Sequence, residues 1–230
     1  MTEKPERTRR MLYGRRKGPK LSAHQADLRA TLLPLLAYDP GKALFSQFPN
    51  NVQEIWLEIG FGAGEHLHSL ARDNPSIGLI GAEPYETGVA KLLTKLAAAP
   101  LDNVRIYEGD GRDIVEALPD ASLGCFFLLF PDPWPKTRHH KRRFLQMEML
   151  DQLARVLKPA AELRFATDDK SYLPYALERL MAHPGFAWLA EGAPDWKTRP
   201  DGWPPTRYEA KAIKGPPTYL RFARRDKIQP

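Results

Sequence analysis

Five short apolar runs, Ile55–Ile59, Ile77–Ala82, Val104–Tyr107, Leu123–Phe130 and Leu163–Ala166, recur along the chain with helical segments between them. That alternation limits the fold more than any other feature. Continuous apolar runs suit strands buried on both faces, and strands separated by helices imply a mostly parallel sheet covered on both sides. The clearest helix is Tyr85–Ala99, with Val89, Leu92, Leu93 and Leu96 on one stripe. A further helix near Leu173–Ala182 precedes two runs, Phe186–Leu189 and Tyr219–Ala223, that read as a closing pair and bring the sheet to seven strands. Upstream, Ser22–Leu36 reads as a helix with Ser22 as its N-cap. The expected architecture is α/β, a single domain over residues 22–230. Within it, Glu191–Pro217 holds six prolines and no periodicity, the mark of a binding loop or lid.

Charge is distributed unevenly. The 34 basic and 28 acidic side chains leave a net +6, and residues 1–20 alone carry eight basic groups against Glu3 and Glu6. The surplus therefore sits in an N-terminal arm, residues 1–21, where Pro5, Gly14, Gly18 and Pro19 disfavour a packed element. A cationic arm attracts polyanions, a nucleic acid above all, though it also serves as a solubilising tail. A second basic run, Lys136 to Arg143, opens an amphipathic segment with Leu150, Leu153, Ala154 and Leu157 at helical spacing. The longest apolar run has eight residues, well short of the roughly twenty a membrane helix needs. No secretory leader is apparent, and a cytoplasmic location is expected. The lone Cys125 excludes disulfide and cysteine-based metal sites and reads as core. No metal is expected either from His66 and His68, which are two apart on a predicted helix and read as surface residues.

The first strand runs Ile55-Trp56-Leu57-Glu58-Ile59 into Gly60-Phe61-Gly62-Ala63-Gly64. Spaced glycines between strand and helix let a ligand approach the backbone at the carboxyl ends of the strands. The spacing is not the dinucleotide fingerprint: the third glycine comes one residue early. Glu58 also precedes the turn, where a carboxylate repels a pyrophosphate and attracts a cation. S-adenosylmethionine, with its sulfonium and ammonium groups and no phosphate, is such a ligand. Glu83, nineteen residues past Gly64, ends the second strand and suits the ribose hydroxyls. Asp110 ends the third and suits the adenine amino group. Each acid alone reads as a surface group or helix cap; three at successive strand ends point to a nucleoside-methionine pocket.

The fourth strand continues into Pro131-Asp132-Pro133-Trp134-Pro135-Lys136. Three prolines around one aspartate stiffen a loop and fix its carboxylate. With Glu58-Ile59-Gly60-Phe61-Gly62, Lys141-Arg142-Arg143, Ala166-Thr167-Asp168, Thr206-Arg207-Tyr208-Glu209 and Gly14-Arg15-Arg16-Lys17-Gly18, this segment resembles the bacterial tRNA (guanine-N7)-methyltransferase family across nearly the whole chain. The resemblance implies a class I, Rossmann-like methyltransferase fold and methylation of a variable-loop guanosine in tRNA. It implies S-adenosylmethionine as donor and S-adenosylhomocysteine as product, with no metal, membrane or obligatory protein partner. Carried over by motif, Glu58, Gly60, Gly62, Gly64, Glu83, Asp110 and Asp132 line the donor pocket, with Asp132 as the active-site residue. Lys136, Asp168 and Thr206, Arg207, Tyr208 and Glu209 contact the substrate, with Asp169 competing for the role of Asp168. Arg138, His139, His140, Lys141, Arg142 and Arg143 face RNA.

Guanine N7 carries an in-plane lone pair and no proton, so its methylation needs positioning and negative potential rather than a general base. Two rival readings stand beside this one: an exocyclic-amine nucleic-acid methyltransferase and a non-catalytic RNA-binding protein that keeps a nucleoside pocket. A dinucleotide oxidoreductase is disfavoured by Glu58 and the glycine spacing. Trp56 reads as core; Trp196 and Trp203 read equally as packing residues or base platforms.

Overall fold

The computed structural model describes residues 16–206, 209 and 215–226. Seven strands form one sheet in the order β3-β2-β1-β4-β5-β7-β6. β1 (Glu54–Ile59), β2 (Ile77–Ala82), β3 (Val104–Tyr107), β4 (Leu123–Leu129) and β5 (Leu157–Thr167) run parallel, and β7 (Thr218–Arg224) lies antiparallel between β5 and β6 (Phe186–Trp188).

Period-two alternation along the strands builds two apolar layers. Ile55, Leu57 and Ile59 of β1, with Phe126 and Leu128 of β4, face one side. They pack there with α5 (Gly111–Ala117), α6 (Met147–Val156) and α7 (Tyr172–Ala182). Cys125, Phe127 and Leu129 face the other side, under α1 (Ala23–Thr31), α3 (Glu65–Asp73) and α4 (Glu86–Ala98). The stripe Val89, Leu92, Leu93 and Leu96 is buried there as its spacing requires. Parallel strands need these crossovers, so every β-to-α turn from β1 to β4 falls at one rim of the sheet.

Several boundaries differ from the sequence reading. Ser22 does cap α1, in a reciprocal capping box with Gln25. The helix ends at Thr31, however, and a separate turn, α2 (Leu33–Leu36), follows with Pro34 near its start. The basic run does not open α6: Thr137–Arg142 forms a 3₁₀ segment of its own. Leu157, whose spacing matched the helix, instead heads β5 and pairs with Leu123. The proline-rich segment contains the short helix α8 (Pro194–Lys197), and Trp203 is buried edge-on to Phe127 and Tyr219. Trp203 is therefore a packing residue. Trp196 is partly buried against the core. Among the described residues, no helix is long and apolar enough to cross a membrane.

Candidate active site

The turn after β1 bends through three left-handed glycines, Gly60 (φ 74°), Gly62 (φ 58°) and Gly64 (φ 74°), a conformation that costs other residues about 1 kcal/mol or more. The Gly62 N–H donates to Glu83 Oε2 at 2.8 Å, and the Tyr85 N–H donates to Glu83 Oε1 at 2.9 Å. One carboxylate thus ties the first turn to the second. Burial pushes the Glu83 carboxyl above its ordinary range against the pull of those two N–H groups, and the charges of Asp132 and Glu58 push the same way. Gly88 permits the close approach of α4, since a Cβ there would lie 2.3 Å from the Gly62 carbonyl oxygen.

Asp110 ends the third turn as the N-cap of α5, accepting from the Arg112 N–H at 3.0 Å. Its two oxygens also hold the Arg112 side chain, with an ion pair at 2.6 Å. After β4, Phe130 (φ 51°) and Trp134 (φ 44°) are both left-handed without being glycine. They bracket Pro131-Asp132-Pro133 and turn the exposed Asp132 over the rim. The Arg142 guanidinium lies 4.9 Å from the Trp134 ring centre, and His139 meets that ring edge-on.

These turns enclose a cleft of about 470 Å³, lined by Gly60 and Gly62, by Glu83 to Tyr85, by Asp110 to Arg112, by Phe130 to Asp132, and by Trp134, Arg142 and Phe144. Tyr85, Arg112, Trp134 and Phe144 are lining residues that motif reading missed. Their one signal in the sequence is adjacency to the acids or to the basic run.

Two residues expected at this cleft lie elsewhere. Gly64 packs under α4, where a Cβ would come within 2.7 Å of Leu92. Glu58 points to the opposite face of β1, 3% exposed, and its Oε2 is 2.8 Å from Nδ1 of His66. His66, expected on the surface, is 2% exposed because it shares the buried stripe of α3 with Leu67 and Leu70. Glu58 and His66 line a second, much smaller pocket of about 20 Å³ with Phe130 and Thr206.

The basic segment lies next to the Asp132 loop. Lys136, Arg138 and Lys141 are exposed, and His139, His140 and Arg142 are half-buried. Arg143 does not face RNA: it is buried, with its donors turned inward to Pro133 and Ser171. After β5, Asp169 is buried and its Oδ1 accepts from the Ser171 N–H, the Ser171 hydroxyl and the Tyr172 N–H. Asp168 is the half-exposed carboxylate of the pair. Thr206 and Glu209 bind each other reciprocally at 3.1 and 3.3 Å, and the Tyr219 hydroxyl donates to Glu209 Oε1 at 2.7 Å. Arg207 and Tyr208 lie outside the described residues. Among the described residues, no cluster of three or more His, Cys, Asp or Glu side chains is arranged to hold a metal.

Comparison with known proteins adds a family to this geometry. A family profile described as a putative methyltransferase matches residues 52–219. The tRNA (guanine-N(7)-)-methyltransferase of Rhodospirillum rubrum is 46% identical over 98% of this chain and 91% of its own length. The one from Ruegeria pomeroyi is 48% identical over 96% and 97%. Among solved structures, a 16S rRNA (adenine(1408)-N(1))-methyltransferase from Catenulisporales acidiphilia superposes with a TM-score of 0.53 at 14% identity, covering 82% of this chain and 92% of that one. The [4+2]-cyclase SpnF superposes with 0.53 at 16% identity, covering 87% and 93%. Likeness at that level establishes the shared fold.

Proposed function

The chain belongs to the tRNA (guanine-N7)-methyltransferase family, and on that premise we propose that the 470 Å³ cleft holds S-adenosylmethionine and that Asp132 presents the target guanine to it. The protein methylates N7 of guanine in tRNA. The observation that carries the site assignment is the position of Asp132. A single exposed carboxylate stands on a proline-stiffened loop, at the lip of an acid-lined cleft and beside an exposed basic turn.

The residues present suit the donor. Glu83 lines the cleft, and each of its oxygens takes only one backbone N–H, which leaves acceptor capacity for ribose hydroxyls. The glycine turn leaves Gly60 open, with no atom within 4 Å of a Cβ built there, so a ligand can lie close to the backbone. Asp110 faces the cleft with both oxygens already engaged by Arg112, so its part is to shape the adenine end jointly with that arginine. Glu58 acts from behind the turn, adding negative potential near a cationic methionine group. Bound there, the donor supplies an electrophilic methyl group.

In this reading N7 attacks the methyl carbon with its own lone pair in line with the sulfur–carbon bond, which breaks to release S-adenosylhomocysteine, so no protein group has to remove a proton. Asp132 accepts from the N1–H and N2 amino edge of guanine, fixing the ring and offsetting the positive charge it acquires. On the same reading Lys136, four residues along the same loop, and Asp168, after the neighbouring strand β5, contact the substrate together with Thr206 to Glu209. Arg138 and Lys141, with His139, His140 and Arg142 behind them, meet RNA phosphates, and the arm over residues 1–21 adds attraction at longer range. In this reading the guanine lies in the variable loop, and the work is done in the cytoplasm with no obligatory protein partner.

The test is to incubate the protein with labelled donor and bulk tRNA and to map the modified positions. The expected product is N7-methylguanosine at one variable-loop site. A methyl group on an exocyclic nitrogen, or none, would overturn the reading.

A further inference from the structure

Arg143 ends the most basic stretch of the folded chain, yet only 1% of its surface is exposed. Its Nε donates to the Pro133 carbonyl oxygen at 2.8 Å, its Nη1 to the Ser171 carbonyl oxygen at 3.1 Å and its Nη2 to the Ser171 hydroxyl at 2.9 Å. The guanidinium lies 4.8 Å from the ring centre of Tyr172 and 4.5 Å from that of Tyr175. Burying a cation is costly, and an apolar side chain of similar size often fills such a volume with equal or better stability. What only arginine supplies is a rigid fork of donors that reaches two loops at once.

Those two loops leave neighbouring strands, β4 and β5. One carries Asp132, directly before Pro133. The other carries Asp168 and ends in Ser171, itself fixed by Asp169 Oδ1. The Asp132 loop also has a left-handed residue at each end, Phe130 and Trp134. Such conformations persist where the surroundings over-determine them.

We propose that Arg143 is a positioning residue for methyl transfer, clasping the Asp132 loop to the β5–α7 loop so that the Asp132 carboxylate meets guanine at one fixed angle. The proposal rests on the role given to Asp132 above. A side chain that binds the loop through the Pro133 carbonyl controls the orientation of the neighbouring carboxylate without touching substrate. Small misplacements at a reacting centre cost large factors in rate.

The experiment uses the full chain carrying Arg143→Gln, Arg143→Lys, Ser171→Ala or Asp132→Ala. It measures kcat, KM for tRNA, the salt dependence of tRNA binding, and calorimetric affinity for S-adenosylhomocysteine as a check of folding. Arg143→Gln is expected to lower kcat about 30–100-fold while KM and the salt slope stay within about twofold. Arg143→Lys should recover part of the loss, because it restores charge but not the fork. Ser171→Ala, which removes one hydroxyl and leaves the core filled, should lower kcat severalfold in the same pattern. It decides the matter should Arg143→Gln fail to bind S-adenosylhomocysteine, since an unchanged kcat in Ser171→Ala then overturns the proposal. Normal kcat per mole of ligand-binding Arg143→Gln, beside a dead Asp132→Ala, overturns the clasp alone. A loss confined to KM with a shallower salt slope overturns it in favour of an RNA contact. Normal turnover of Asp132→Ala removes the premise and the proposal with it.

Discussion

Nδ1 of His66 lies 2.8 Å from Oε2 of Glu58, both side chains buried. The pair joins the end of β1 to the first turn of α3, on either side of the Gly60–Gly64 turn, and the His66 ring stands edge-on to Phe127 at 5.1 Å. His66→Ala leaves a buried carboxylate without this contact and opens a void beside Phe127. The expected loss is about 3 kcal/mol, read as a lower urea midpoint at unchanged slope. His66→Gln, which can still donate to Glu58, should lose less. Equal midpoints for parent and alanine variant would show the pair to be energetically idle.

The sheet was legible because its signal is local. β2 and β3 fall on the residues their apolar runs mark, and β4 ends one residue early, where Phe130 turns left-handed. What escaped depends on three-dimensional context. Leu157 fits both a helical stripe and a strand, and pairing with Leu123 decides it. Arg143 reads like its cationic neighbours until the turn at Thr137–Arg142 points it inward between Tyr172 and Tyr175. His66 could have been recovered, since it lies four residues before Leu70 on the buried stripe. Its charge before the glycine turn and the family motif both point Glu58 at the cleft, but alternation along β1 puts it opposite Ile59, which does line the cleft.

Glu83 gives a pH-dependent prediction. Burial, the largest influence, raises its folded pKa above the ordinary 4.5. Between that ordinary value and the raised one, the folded chain binds more protons than the unfolded chain. The contribution of Glu83 to stability therefore falls as pH climbs through the window, and the penalty is fully present above it. Glu83→Gln abolishes this titration while losing one acceptor at every pH. The difference in unfolding free energy, variant minus parent, should move in the variant's favour as pH rises through the window and then level off. Urea titrations on both sides of it test this, and a pH-independent difference would contradict the raised pKa. Ribose hydroxyls donate best to the ionised form, so donor affinity should rise over the same window.

If the exposed part of the basic turn meets RNA as proposed, it sets the salt dependence of binding. Arg138→Ala and Lys141→Ala each should reduce the log–log slope of tRNA affinity against salt by about 0.7–0.9 if each removes one phosphate contact. The Arg143 variants should leave the slope unchanged, because that guanidinium is buried. Fluorescence binding at several salt concentrations separates the two classes. A slope unmoved by both surface substitutions would place the RNA face elsewhere.

Asp132 is the exposed carboxylate at the lip of the cleft. N7 has no proton to lose, so the role proposed for the carboxylate is to orient guanine and to offset its new charge, and the two contributions can be separated. Asp132→Ala removes both, and kcat should fall about 10²–10³-fold, while S-adenosylhomocysteine still binds, more weakly, through the Glu83 side of the cleft. Asp132→Asn keeps one acceptor oxygen and the size of the side chain but not the charge, so it should retain more activity than the alanine variant. Single-turnover methylation with saturating donor measures the chemical step directly. An asparagine variant no more active than the alanine variant would show that charge, not orientation, carries the effect. An alanine variant with parental turnover would remove the residue from the active site.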